Sequence, residues 1–473
     1  MLPTSLLMIV ALLTRFVTFG DPVLHVDDQF YLLGGHEILR GHILYVDFWD
    51  RKPPGIFLIY ALFALFPDDV LAYQIGATLF AWATACTIYF CARRFASAVG
   101  ALLGGCSYLL TITLFGGYGG QTPIFYNLLI AFAALLVMPG SGPRPGGPWR
   151  QIAAIGMCSL ALTVKPTALP EALFLSIMAR RLPSGLFQLG RPNRNLAIIV
   201  LILGLPAIAI ASFYIAIGSF YDLWFATVVS IFHRESLGLG SLHAGLFYCA
   251  IFLTPLFLIA GRGLWDLKSK NRAMARFVTG WLAVSVAGFL LVPTFYLHYP
   301  LPLMVPLAVA SAAAYSLFRT GPMFFAAISL LAVLNGSMLG WRQFNRDKTQ
   351  YAHLVNLVAS CPRASSLFVQ DGPVRLYDDF ALRRPGRMIF PDHLGLSVER
   401  NAIPVDQESE TKKILMANPD VVITATPPGQ RATRAVWSVL RKSLSLQYRQ
   451  VGSAVLPLDR RYIHHLVFCR NSG

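Results

Sequence analysis

The sequence predicts an α-helical protein that crosses a membrane several times and ends in a small soluble α/β domain. Of its 473 residues, 55% are hydrophobic and only 13% are charged, whereas about a quarter of a typical soluble domain is charged. Apolar stretches recur from Leu2 to Leu339, and several are long enough to cross the hydrocarbon core of a bilayer. Because backbone polar groups inside a bilayer must bond to one another, these stretches are predicted to be helices.

We assign about eleven membrane spans to these stretches. In chain order they cover residues 2–19, 70–89, 98–115, 124–138, 152–164, 168–179, 196–217, 246–260, 277–292, 301–318 and 323–341. Residues 152–179 form two short spans in this assignment, because Pro166 removes a backbone donor and disfavours helix at Lys165. The alternative is one long helix, which would move every later loop to the opposite side of the membrane.

Basic residues fall in alternate loops between the predicted spans. One set of loops holds Arg93 and Arg94, Arg180 and Arg181, and the basic residues of 262–276. The opposite loops, 116–123 and 293–300, hold none. Cytoplasmic loops are enriched in lysine and arginine, so the N-terminus is predicted to be cytoplasmic. These loops account for much of the net charge of +16, and no nucleic-acid partner is expected.

The topology predicts two domains. Residues 1–341 form a transmembrane domain that includes an outer first loop, 20–69, and residues 342–473 form an outer C-terminal domain. In the tail we predict strands over 367–369, 421–424 and 462–468 and helices over 410–416 and 432–444. Cys361 and Cys469 also lie in the tail, and they could form a disulfide in an oxidising compartment, although spacing alone does not fix their pairing.

Acidic residues are concentrated in the first outer loop. Before Arg342 the chain has twelve acidic residues, and eight of them lie between residues 21 and 69. Acids that served solubility alone would be spread over all loops, so this concentration indicates a chemical site. We predict a helix over 28–39 and, over 55–66, a second helix that lies in the membrane interface.

The first loop contains a possible base and possible phosphate ligands. The adjacent carboxylates of Asp27 and Asp28 can act as a general base when desolvation raises the pKa of one of them. Arg51 and Lys52 can hold a phosphate. Three aromatic side chains can stack on a sugar or line a groove: Tyr31, Tyr45 and Trp49. The alternative is that Asp27 and Asp28 only cap the helix that follows them.

At these residues the sequence resembles a known family. The segments are Asp27-Asp28-Gln29-Phe30-Tyr31-Leu32, Gly41 to Asp47, Asp50-Arg51-Lys52-Pro53-Pro54-Gly55, Lys165-Pro166-Thr167 and His298-Tyr299. They resemble motifs of bacterial GT-C membrane glycosyltransferases of the family 39 type, which includes protein O-mannosyltransferases and lipid A aminoarabinose transferases. The family's usual acidic pair is Asp-Glu, whereas this chain has Asp-Asp, so which acid is the base stays open.

The resemblance implies an inverting transferase of the bacterial inner membrane with a periplasmic active site and tail. It would move a sugar from a polyprenyl-phosphate donor to a lipid, glycan or protein acceptor, with Asp27 and Asp28 as the catalytic acids. Residues implied to bind donor phosphate or substrate are Tyr45, Asp47, Arg51, Lys52, Lys165, His298 and Tyr299. The resemblance requires no cofactor and no metal, although the acids of the first loop could hold a divalent ion.

Three other features bear on function. Lys165 is a charge among apolar segments, and such charges are functional hypotheses by default. Residues 383–394 resemble a stretch in the tails of related bacterial transferases, which implies acceptor binding or support of the first loop. A transporter or flippase and a non-catalytic envelope assembly factor are the alternative functions. A transporter usually has inverted repeats, and we find no convincing internal repeat.

Overall fold

The computed structural model describes residues 2–139, 148–181, 186–187, 191–235, 239–291, 294–362, 364–426, 433–458 and 461–471. The chain divides into two compact units. The first consists of Met1–Phe19, Gln74–Ile210 and Gly238–Gly340, and the second of Gly20–Tyr73, Ala211–Leu237 and Trp341–Gly473. The predicted domains 1–341 and 342–473 stay a prediction.

Apolar helices correspond to all of the predicted spans. The helices are Leu2–Arg15, Asp69–Ala92, Ala98–Thr111, Thr122–Val137, Pro148–Val164, Leu169–Ala179, Pro192–Ala216, Leu239–Lys270, Arg272–Leu290, Met304–Tyr315 and Gly321–Asn335. Within the described part of the chain, five helices are long and apolar enough to cross a membrane: Asp69–Ala92, Ala98–Phe115, Pro192–Ala216, Leu242–Lys270 and Arg272–Leu290. The predicted polytopic helical membrane fold is confirmed.

The helix break predicted at Lys165 and Pro166 is present. Helix Pro148–Val164 ends there, a 3₁₀ turn covers Pro166–Ala168, and the next helix is Leu169–Ala179. The side-chain amide of Gln151 donates to the carbonyl of Ala179 at 2.9 Å. This bond joins the start of one helix to the end of the other, so the two helices form an antiparallel hairpin.

Helix Met304–Tyr315 is the centre of the first unit, because all of its residues are buried. Small residues let neighbouring helices approach it closely. A Cβ atom added at Gly263 would lie 2.2 Å from the carbonyl oxygen of Ala310, and one added at Gly100 would lie 2.6 Å from that of Ala312. Such small residues permit close backbone contact between membrane helices, where dispersion forces hold the helices together.

The second unit contains the first loop and the tail. Its longer helices are Val26–Leu39, Pro54–Phe63, Trp341–Ala359, Gln407–Met416 and Arg434–Gln447. Shorter helical segments are Phe220–Trp224, Phe225–Val229, Ser230–Phe232, Leu376–Phe380 and Pro391–Gly395. The strands are β1 Leu367–Val369, β2 Val421–Thr426, β3 Tyr448–Leu458 and β4 Arg461–Arg470. They form a sheet in the order β1-β2-β4-β3, in which β1 and β2 are parallel and the other pairs are antiparallel.

The tail agrees with the predicted strands and helices and adds several elements, of which a long helix and a long strand are the largest. Helix Trp341–Ala359 and strand β3 were not predicted, and the predicted last span runs past its helix, which ends at Asn335. Residue 432 of the predicted helix 432–444 lies outside the described residues. Cys361 and Cys469 form a disulfide with their Cα atoms 5.5 Å apart, and this bond ties the end of helix Trp341–Ala359 to β4.

Candidate functional site

Lys52 lies between two carboxylates of the second unit. Its Nζ atom is 3.3 Å from Oδ1 of Asp27 and 3.3 Å from Oδ2 of Asp50. About a quarter of the Lys52 side chain is exposed, at 24%, and Asp27 is exposed to a similar degree, at 22%. Asp28, the next residue, is fully buried. The cluster therefore places a partly exposed lysine side chain beside a partly exposed aspartate side chain.

The local fold of the first loop puts these groups together. Helix Val26–Leu39 begins after the extended residue His25, so its first turn contains Asp27 and Asp28. Carboxylates in a first helical turn are favoured by the helix dipole. Pro53 is extended, and the next helix begins at Pro54, where proline has no backbone donor to lose. Lys52 therefore lies in a bend two residues before the helix that begins at Pro54.

Tyr45 and Asp47 shape the turn that precedes Lys52. Tyr45 has a φ of +71°, a left-handed conformation that is uncommon for a residue with a side chain. Its hydroxyl donates to the backbone carbonyl of Lys52 at 2.8 Å. Asp47 accepts a hydrogen bond from the backbone N–H of Ile43 at 2.7 Å. In this structure both residues position the loop, and their direct contact with substrate stays a prediction.

Lys52 and Asp50 each stabilise the charged form of the other. Burial alone would raise the pKa of Asp50, but Lys52, His393 and Arg51 together outweigh burial and hold that pKa well below its usual range. Burial alone would lower the pKa of Lys52, but the carboxylates of Asp27 and Asp50 outweigh it and raise that pKa. Lys52 is therefore a firmly protonated cation, as the binding of a phosphate requires.

Aromatic rings surround the Lys52 ammonium. Its Nζ atom lies 5.0 Å from the ring centroid of Tyr31 and 5.8 Å from that of Phe390, within the range of cation–π attraction. Tyr31, Tyr45 and Trp49 are at most 1% exposed. Their faces pack against protein in this structure, so stacking of these three rings on a sugar stays a prediction.

Arg51 forms a bidentate ion pair with Glu399. Its Nη1 atom donates to Oε1 of Glu399 at 3.0 Å, and its Nη2 atom donates to Oε2. Arg234 also binds this carboxylate, with 2.8 Å between Nη2 and Oε1. Burial alone would raise the pKa of Glu399, but the two guanidinium groups lower it. The charge of Arg51 is thus already compensated, which favours a structural role, and its predicted phosphate contact is untested.

The tail segment 383–394 contacts the first loop directly. Arg384 forms an ion pair with Glu37, and the backbone N–H of Trp49 donates to the carbonyl of Arg387 at 3.0 Å. His393 Nε2 lies 3.8 Å from Oδ1 of Asp50. The support role that the resemblance implied for this segment is therefore present.

Sequence reasoning did not single out His393 or Glu399. Their partners, Asp50 and Arg51, lie more than 340 positions earlier in the chain. No local spacing links residues so far apart. The alternation of charge in Asp50-Arg51-Lys52 was the only local signal that these side chains needed partners.

The first unit contains the other predicted ligands. The Nζ atom of Lys165 lies 5.0 Å from the ring centroid of Tyr299, and the rings of His298 and Tyr299 are 4.9 Å apart. The structure thus brings Lys165, His298 and Tyr299 together. Lys165 and Tyr299 line a pocket together with Tyr126 and Glu171.

Glu171 is buried below this pocket. Its Oε1 atom accepts hydrogen bonds from Trp281 Nε1 at 2.8 Å and from Ser285 Oγ at 2.6 Å. These donors stabilise a polar group that would be costly in an apolar environment. Within the described ranges, no group of three or more His, Cys, Asp or Glu side chains is arranged to hold a metal ion.

The fold is shared with solved structures of ArnT and of an archaeal oligosaccharyltransferase, in agreement with the resemblance noted in the first loop. Among solved structures, the chain is similar to ArnT from Cupriavidus metallidurans in the apo state, with 15% identity and a TM-score of 0.64 over 98% of this chain and 97% of that one. It is also similar to ArnT from Cupriavidus metallidurans bound to undecaprenyl phosphate, with 14% identity and a TM-score of 0.61 over the same shares.

A third similar structure comes from an archaeon. It is the oligosaccharyltransferase AglB from Archaeoglobus fulgidus in complex with an inhibitory peptide and a dolichol-phosphate, with 11% identity and a TM-score of 0.51. The match covers 89% of this chain and 69% of that one. No protein-family model matches the sequence, and no curated protein matches it significantly. At these identities the structural similarity establishes the fold and does not by itself establish the activity.

Proposed function

We propose that this protein is an inverting glycosyltransferase that takes a sugar from a polyprenyl-phosphate donor. The observation that carries the proposal is the position of Lys52, whose ammonium lies 3.3 Å from the accessible carboxylate of Asp27. A cation that binds the leaving phosphate and a base that takes the acceptor proton are the two groups that such a transfer needs. The fold similarity to ArnT, one structure of which has undecaprenyl phosphate bound, supports the proposed donor.

The proposed reaction is a single displacement. The acceptor hydroxyl oxygen attacks the anomeric carbon of the sugar, and the bond from that carbon to the phosphate oxygen breaks. The electron pair of the broken bond leaves with the polyprenyl phosphate, and the hydroxyl proton goes to an aspartate. One displacement inverts the configuration at the anomeric carbon.

Lys52 stabilises the leaving phosphate in this proposal. An ammonium has three donors, and Asp27 and Asp50 engage two of them in the structure. A donor phosphate that binds the third donor keeps Lys52 charged, and one that replaces Asp27 also frees the Asp27 carboxylate. Positive charge directed at the atom where negative charge develops is a large source of rate enhancement in enzymes.

Exposure favours Asp27 as the base. Its side chain is 22% exposed, whereas Asp28 is fully buried. A base must come within hydrogen-bond reach of the proton that it removes, and the exposed carboxylate meets this condition without a rearrangement. In this proposal Asp28 does not take the proton and instead provides a fixed negative charge beside the reacting groups.

The remaining parts of the proposal concern partners and location. Lys165, His298 and Tyr299 form a second polar group, to which we assign contact with donor or acceptor. The acceptor is a lipid, glycan or protein, and the site faces the periplasm of a bacterial inner membrane. The alternation of basic loops supports this orientation, because cytoplasmic loops are enriched in lysine and arginine.

The test is sugar transfer from a panel of radiolabelled polyprenyl-phosphate sugars to membrane acceptors. The variants are Asp27→Asn and Asp28→Asn, and the matched control is Glu408→Gln, an exposed acid of the same unit. Each is compared with the original protein at equal expression. We expect the control to transfer at the original rate and Asp27→Asn to lose about 100-fold or more, since a general base contributes about that factor.

The outcomes separate the parts of the proposal. A smaller loss in Asp28→Asn than in Asp27→Asn supports Asp27 as the base, and the reverse order assigns the base to Asp28. Undiminished transfer by both variants contradicts the proposed site. Failure of the original protein to use any donor in the panel contradicts the transferase and favours a transporter or an assembly factor.

A further inference from the structure

A pocket rich in arginine lies in the second unit, apart from the Lys52 cluster. We call it the Arg384 pocket, and it is lined by Glu37, Arg40, Tyr377, Arg383 and Arg384, among others. It is open and has a cavity volume of about 370 Å³. This size is within the range of small-molecule sites, about 300–1,000 Å³.

Glu37 organises the wall of the pocket. Its carboxylate is fully buried and accepts hydrogen bonds from Arg40 Nη1 at 2.6 Å and from Arg384 Nη2. His42 Nδ1 lies 2.6 Å from its other side, at Oε2. Arg40, Arg384 and His42 thus share one buried carboxylate, which holds the two arginine side chains in place.

The basic charges exceed the acidic charges around the pocket. Arg40 forms a second ion pair, with Asp378, at 3.3 Å. Burial raises the pKa of Asp378, against the lowering effect of nearby cations that include Arg40. Glu410 lies beside Gly386 in the lining and pairs with Lys413, so three arginines and one lysine face three carboxylates. The pocket carries a net positive charge.

Among the described residues, two arginine side chains have N–H donors that no acceptor engages. Nη1 of Arg384 is buried and has no hydrogen-bond partner. The Arg383 side chain is exposed and makes no ion pair within the part of the chain that the structure describes. A buried donor without an acceptor is unfavourable, so an acceptor that enters the pocket would be stabilised.

The number of free donors favours phosphate over carboxylate. One arginine can satisfy a carboxylate by itself through a bidentate pair. A phosphate monoester has three acceptor oxygens and a charge of about −1.5 to −2 at neutral pH. It can therefore engage Arg383 and Arg384 together and offset the excess positive charge.

The pocket is too far from Asp27 for one phosphate to reach both sites. Glu37 lies ten residues after Asp27 in helix Val26–Leu39, which is about 15 Å along the helix axis. We infer that the Arg384 pocket binds a phosphate monoester distinct from the donor phosphate. Its assignment to a phosphate group of the acceptor, about 15 Å from the hydroxyl that reacts, rests on the proposed function.

The test is binding to the purified full-length protein in neutral detergent, measured by equilibrium dialysis. The probes are radiolabelled orthophosphate and a short-chain phosphatidic acid, which separate free phosphate from a lipid headgroup. The variant is Arg383→Gln, which removes an unpaired guanidinium and leaves the Glu37 cluster intact. The matched control is Arg400→Gln, another exposed arginine of the same unit. Lys52→Ala identifies any binding at the donor site.

We expect Arg383→Gln to weaken the binding of at least one probe about tenfold, the effect of losing one charge-assisted hydrogen bond. Arg400→Gln should leave that binding unchanged, and Lys52→Ala should remove only the part of the binding that belongs to the donor site. Tighter binding of phosphatidic acid identifies a lipid headgroup as the ligand, and equal binding identifies phosphate alone. No binding, or binding that Arg383→Gln does not weaken, overturns the inference. Neither result depends on sugar transfer, so failure of the transferase proposal is detected separately.

Discussion

Replacing Glu399 with glutamine removes a carboxylate that two arginines share. Arg51 and Arg234 both bind Glu399, and the carboxylate is only 2% exposed, whereas the arginine side chains are 17% and 20% exposed. Glutamine keeps the shape of the side chain and one acceptor oxygen, but it provides no negative charge. Two partly buried guanidinium groups then lose their counter-charge.

The expected cost follows from this burial. Breaking a fully buried ion pair costs about 3–5 kcal/mol. The remaining acceptor oxygen and the partial exposure of the arginines reduce this cost, so we expect the free energy of unfolding to fall by about 2–3 kcal/mol. For a unit of roughly 200 residues, this corresponds to a decrease in Tm of about 5–10 °C.

The loss also depends on pH. The pKa of Glu399 is lowered in the folded state, so its contribution to stability is fully present above its unfolded pKa, about 4.3. That contribution is lost as the pH falls through the lower folded pKa. The difference in Tm between the original protein and Glu399→Gln should therefore be constant near neutral pH and should shrink in acid.

The assay is thermal unfolding in detergent, followed by tryptophan fluorescence between pH 4 and pH 8. Glu408→Gln is the control, because Glu408 is exposed and its loss should change Tm little. If Glu399→Gln unfolds at the same temperature as this control, the ion pairs of Arg51 and Arg234 with Glu399 do not stabilise the second unit. A difference in Tm that grows in acid would contradict the lowered pKa.

Three further predictions concern other parts of the molecule. Replacing Cys361 and Cys469 with serine removes a disulfide between residues 108 positions apart. We expect the free energy of unfolding to fall by about 4–5 kcal/mol, measured as a lower Tm than that of the original protein. Asp50→Asn removes one of the two carboxylates beside Lys52, and both sugar transfer and Tm should fall at neutral pH, because a buried carboxylate with a lowered pKa stabilises the folded state there. Glu171→Leu leaves the buried Trp281 Nε1 donor without its acceptor, while Ser285 Oγ can still donate to the carbonyl of Trp281. The change should cost about 1–3 kcal/mol, with unchanged Tm as the contradicting result.

Features of sequence that act over short distances predicted much of this fold. The apolar stretches predicted helices because a bilayer leaves no alternative, and Pro166 predicted the break between Pro148–Val164 and Leu169–Ala179 because proline cannot continue a helix. Strand β3 was missed, since it contains Gly452 and Pro457 and has an irregular register near Gly452. Glycine and proline are depleted in strands.

The candidate site was predicted in part for the same reason. Asp27, Asp28 and Lys52 lie within one loop, where their concentration was visible. The side chains that hold Asp50 and Arg51, namely His393 and Glu399, come from the tail. Pairs this distant in sequence depend on the tertiary fold, and nothing in the local pattern specifies them. The left-handed conformation of Tyr45 is also fixed by its surroundings, since a tyrosine does not favour it.

The central claim is that the Lys52 ammonium stabilises the departing phosphate, and its most direct test is the rate of sugar transfer in Lys52→Ala. The matched control is Lys412→Ala, which removes an exposed lysine of the same unit. We expect Lys52→Ala to transfer about 100- to 1,000-fold more slowly than the control, the effect of losing one electrostatic contact to the transition state. Transfer by Lys52→Ala at the rate of Lys412→Ala would contradict the claim.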